Sequence, residues 1–67
     1  MSEKLEMSRK IYYARIRKGL TQEQLAEAVD VSTRYIQYLE HGDFFPSGRL
    51  LCRLVKVLDI DLLNEAK

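Results

Sequence analysis

Along this chain the apolar residues recur at intervals of three and four, which gathers side chains on one face of a helix; nowhere do they alternate as a half-buried strand requires. Met7, Ile11 and Ala14 predict a first helix over about 6–18, ended by Gly19. Ile16 is expected to be partly buried in it, with Tyr12 and Tyr13 at the edges. Leu25, Ala26 and Val29 predict a second helix over about 22–29, opened by Thr21, whose hydroxyl caps the first turn while Gln24 bonds back to it. Ile36 and Leu39 predict a third over about 33–40, with Ser32 as its cap and Val31 packing on Ile36. After the loop from His41 to Pro46, in which Gly42 supplies a left-handed stop, Leu50, Leu51, Leu54, Val55 and Leu58 predict a fourth helix over about 47–58. Asp59-Ile60-Asp61 breaks the pattern, and Asp61 is placed to cap a last short helix over about 62–66 that holds Leu62, Leu63 and Ala66. The expectation is one all-α domain, 1–67, of five short helices.

The second and third helices are separated only by Asp30-Val31-Ser32, and Asp is among the few residues that tolerate a left-handed backbone. At ~100° per residue the third helix turns Ile36 and Leu39 inward and Thr33, Arg34, Gln37 and Tyr38 outward. That outward set holds a guanidinium able to fork onto guanine, an amide able to bond adenine or phosphate, and a hydroxyl-bearing ring. Two helices joined by a tight turn, the second with such a face, form the helix-turn-helix that lays a recognition helix in the DNA major groove.

Composition narrows the alternatives. With 67 residues, 46% hydrophobic and 31% charged, the chain lies in the globular range, and its small core needs a contribution from every helix. No apolar run approaches the ~18 residues that span a bilayer. Met1-Ser2-Glu3-Lys4 leads into no signal-peptide core, so a cytoplasmic protein is expected. One cysteine and one histidine suggest neither a disulfide nor a metal site, and offer no nucleophile with its base; no enzyme and no cofactor are expected. Net charge is only +1, yet it is unevenly spread. Residues 1–20 carry six basic side chains against Glu3 and Glu6, and residues 58–67 carry Asp59, Asp61 and Glu65 against Lys67. A molecule with a basic and an acidic end can orient on a phosphate backbone.

Taken in order, Arg15 four residues before Gly19, GLTQEQLA, Val31-Ser32, Ile36 with Leu39 and Glu40, Gly42, Pro46-Ser47 and LVKVLDI ending at Ile60 resemble the lambda repressor-like, Cro/C1-type domains of the XRE family. The resemblance runs from about Met7 to Leu63 and implies a compact five-helix bundle. It implies a structural ion pair between Arg15 and Glu40, and a phosphate contact by Gln22 at the start of the second helix. It places base contacts on Thr33, Arg34 and Tyr38, with Gln37 close by, and gives Ser32 a phosphate contact or a capping role only. Its departures are Asp30 and Asp59 where Gly is usual, Gly48 where an apolar residue is usual, and Phe44 and Phe45 in a loop that is usually polar. A prokaryotic source is likewise implied by resemblance alone.

Other residues carry two readings. His41 either meets phosphate or only complements the dipole at the helix end, and Cys52 is expected to be a packed small hydrophobe. Phe44 and Phe45 cannot both sink easily into so small a core; with Leu58, Ile60, Leu62 and Leu63 they could form a homodimer surface, or one ring could fill a gap left by Gly48. The resulting expectation is a transcriptional regulator, a repressor, that binds double-stranded DNA at a palindromic operator as a homodimer, without a membrane or small-molecule partner. The rival is a protein-interaction module on the same bundle, such as an antitoxin or anti-repressor partner, favoured by the low net charge and the aromatic loop.

Overall fold

The computed structural model describes residues 3–60. Among them the chain forms four helices and no strand: α1 Glu3–Lys18, α2 Gln22–Ala28, α3 Thr33–His41 and α4 Gly48–Leu58. The fifth helix expected at 62–66, its Asp61 cap, Leu62 and Leu63 lie outside the described residues. The first helix starts three residues earlier than its apolar pattern, with Glu3 and Glu6 in a first turn where the helix dipole favours negative charge.

Local chemistry fixes the starts of the other three. Thr21 Oγ1 accepts the Gln24 N–H at 3.0 Å while Gln24 Oε1 accepts the Thr21 N–H at 2.9 Å, a complete capping box. Ser32 Oγ accepts from the Tyr35 N–H at 3.1 Å, and Ser47 Oγ from the Leu50 N–H at 3.3 Å. Ser47 is thus the cap and not the first residue of α4.

All four helices end on a residue with positive φ: Gly19 at 74°, Asp30 at 63°, Gly42 at 88° and Asp59 at 57°. The residue after each returns its N–H to a carbonyl in the last turn: Leu20 to Arg15, Val31 to Ala26, Asp43 to Tyr38 and Ile60 to Val55. Carbonyls that would otherwise be orphaned are satisfied in this way, and the chain reverses within about two residues. The two departures from Gly noted in the sequence, Asp30 and Asp59, therefore do the same backbone work as the two glycines.

The core is built from Met7, Ile11 and Ala14 of α1, Leu25 and Ala26 of α2 with Val29 just beyond it, Ile36 and Leu39 of α3, and Leu50, Leu54 and Leu58 of α4. α3 packs on both α1 and α2, and α1 on α4, so α3 rests on the centre of the domain. Arg53 of α4 adds a polar tie, donating from Nη1 to the Val29 carbonyl at 3.2 Å.

Two expected burials fail for one reason. Ile16 is 51% exposed and Cys52 is exposed. Ile16 stands two residues after Ala14, and Cys52 two after Leu50; two residues turn a helix by about 200°, onto the opposite face. Gly48 leaves no hole either: a Cβ built there meets nothing within 4 Å. Phe44 instead packs against the Tyr35 ring, centroids 4.7 Å apart, and against the edge of the core.

Candidate nucleic-acid interface

The α2-turn-α3 unit is held by contacts the sequence dictates locally. Thr21 starts α2, Asp30 turns the chain, Ser32 starts α3 and Gly42 stops it. On α3 the buried pair Ile36 and Leu39 fixes the rotation of the helix about its axis. The opposite side then presents Arg34, Gln37, Tyr38 and His41 as exposed residues, with Thr33 half-buried at the first turn. Thr33, Gln37 and His41 follow one another at intervals of four and make one row; Arg34 and Tyr38 make the next. His41 therefore shares the surface with the four residues expected to meet bases. Its Nδ1 lies 3.1 Å from Asp43 Oδ1, and both groups are exposed.

The far end of α3 is fastened by Glu40. Arg15 Nε donates to Glu40 Oε2 at 2.6 Å and Arg15 Nη2 to Glu40 Oε1 at 3.1 Å, with side chains only 8% and 5% exposed. Arg15 Nη1 donates to the Leu20 carbonyl at 2.8 Å, and its guanidinium lies 5.3 Å from the Tyr12 ring centre. Gln22 Nε2 adds a third donor, 3.1 Å from Glu40 Oε1. A carboxylate at this place would otherwise repel phosphate; with three donors on it, its charge is turned inward and balanced. The same contact holds the Gln22 side chain beside the start of α2, where backbone N–H groups favour an anion.

Ser32 is exposed, but its Oγ is engaged as the cap of α3. Among the residues expected at a homodimer surface, Leu58 is fully buried inside the monomer and so is withdrawn from any surface. Phe44 is half-buried, Phe45 is 45% exposed, and Ile60 is half-buried in a groove it lines with Arg9, Tyr13 and Arg17. The Arg53 tie and the Arg15 stack on Tyr12 had not been read from the sequence; only the second has a sequence signal, an aromatic and an arginine three apart on a helix.

The model of the helix-turn-helix family matches residues 11–63. The chain belongs to that family. Membership is of the Cro/C1 type that the ordered motifs resembled, and makes this chain a helix-turn-helix DNA-binding domain of the transcription-regulator kind. A search of curated proteins found no match. None of the domain's described helices is long and apolar enough to cross a membrane.

Proposed function

We propose that this helix-turn-helix domain recognises one double-stranded DNA sequence, with α3 in the major groove, and represses transcription by occupying a promoter. The observation that carries this reading is the outward face of α3. Its side chains are able to bond or pack on base edges, and the core uses none of Arg34, Gln37 or Tyr38. In this reading Arg34 takes a guanine, Thr33, Gln37 and Tyr38 contact neighbouring bases, and Gln22, Ser32 and His41 meet phosphates. Gln22 can keep its bond to Glu40 and still offer its second amide hydrogen. The operator is palindromic, read by a homodimer with half-sites about one helical turn, ~34 Å, apart.

The test is selection of bound sequences from a random DNA pool, with wild type and a Thr33/Arg34/Tyr38 triple-alanine variant in parallel. An inverted repeat enriched only by the wild type supports the reading. No enrichment by a folded wild-type protein at low salt sinks it. The exposed aromatic residues of α1 favour a second reading, contact with protein, and salt separates the two. Binding through phosphates weakens steeply as salt rises, whereas an apolar protein contact hardly changes.

A further inference from the structure

α1 has two apolar faces. Met7, Ile11 and Ala14 face the core, while on the far side Tyr12, Tyr13 and Ile16 are 42%, 63% and 51% exposed. Exposed Arg9 lies among them, because Arg9, Tyr12 and Ile16 fall within about 60° of one another around the helix, with Tyr13 on their flank. The two tyrosine rings meet edge to face, centroids 5.2 Å apart, and the Arg15 guanidinium backs Tyr12. Large rings held in place by their neighbours and still open to water mark a contact surface.

The charges along α1 indicate what covers it. The first turn holds Glu3 and Glu6 around Lys4 and is net acidic, and the last turn holds Arg17 and Lys18 besides the buried Arg15. Glu6 and Arg17 are both exposed and stand 11 residues apart, about three full turns, so they share one edge of the helix. Laid parallel, two such helices would set like charge on like. Laid antiparallel, Glu6 of one copy meets Arg17 of the other, and a two-fold axis makes that pair twice. Arg9 of each copy then crosses the tyrosines of the other, where a guanidinium packs well on a ring.

We infer that this face of α1 is a self-association surface, on which a second copy of the chain packs its own α1 antiparallel. A 16-residue helix is only about 24 Å long, so the contact stays below the ~1,200 Å² of a standard interface and the dimer is weak. The outward face of α3 stays uncovered, because Ile36 and Leu39 are what α3 turns toward α1. The inference concerns the protein alone and stands whether or not the DNA reading does.

Sedimentation equilibrium of the DNA-free protein at low salt, from micromolar to near-millimolar concentration, tests it. The expected result is a concentration-dependent dimer that Ile16→Glu abolishes, with the helical circular dichroism and melting temperature kept. Glu6→Arg and Arg17→Glu should each weaken the dimer about fivefold, and the two changes together should restore it, since rim ion pairs are worth small factors that return when both signs are exchanged. A wild type that stays monomeric throughout overturns the inference. So does a dimer lost with Phe45→Ser but kept with Ile16→Glu, and so does a charge swap that fails to restore association. Ile16→Glu should still bind a single DNA half-site, so failure here is distinguishable from failure of the DNA reading.

Discussion

Arg15 and Glu40, 25 residues apart in sequence, meet through two parallel hydrogen bonds of 2.6 and 3.1 Å and join α1 to the end of α3. Both side chains are nearly out of water, so neither charge can be left alone cheaply. Arg15→Met should therefore lower stability by about 3 kcal/mol or more. In a domain of this size that is a fall in melting temperature of roughly 12 °C or more. Arg15→Met with Glu40→Met should recover much of the loss, because no uncompensated charge remains. A single variant that melts within a few degrees of wild type would show that the pair contributes little.

Arg34 is exposed on the outward face of α3 and the core does not use it. Arg34→Ala should leave the melting temperature unchanged and relax preference at one base pair by about 1 to 3 kcal/mol. Binding to a set of single-base operator variants measures this. Uniform weakening across the set would move Arg34 from base to phosphate.

Three of the four left-handed helix ends give predictions of opposite sign. Gly42→Ala should cost about 1 to 2 kcal/mol, since φ is 88° and the new Cβ would touch Leu5 Cδ1 at 3.4 Å and Ser8 Oγ at 3.5 Å. Asp30→Gly and Asp59→Gly, at φ 63° and 57°, should instead be neutral or stabilising by up to about 1 kcal/mol. Chemical denaturation of the three variants decides; a clear loss in either Asp variant would mean that its side chain does more than tolerate the turn.

Cys52 should react with a thiol reagent in the native protein as fast as in the unfolded chain, because it is exposed on α4. Cys52→Ser should change stability by no more than about 0.5 kcal/mol. Protection of the thiol until unfolding would return it to the core.

The helix positions were legible because caps and stops are local. Thr21 with Gln24, Ser32, Gly19 and Gly42 act within three or four residues, so their chemistry can be read without the rest of the fold. The Arg15–Glu40 pair spans 25 residues, and only family resemblance suggested it. Errors came where a face was assigned too widely. Ile16 and Cys52 are apolar and near a helical stripe, yet the stripe of α1 is Met7, Ile11, Ala14 and that of α4 is the narrow row Leu50, Leu54, Leu58, which also takes Leu58 away from the surface expected of it. Two residues of offset turn a side chain by about 200°, from the core to water. The second apolar face of α1 blurred the first in the same way, since a helix with two such faces shows no strong preference for one side.

Ser32 caps α3 at one end, Gly42 and Arg15 hold the other, and Ile36 and Leu39 anchor the middle. Such a helix does not have to fold on its target. Encounter with a target should then be governed by diffusion and charge, with single-exponential association and no slow ordering phase. Changes on its outward face should show up mainly in how long the complex lasts, not in how quickly it forms.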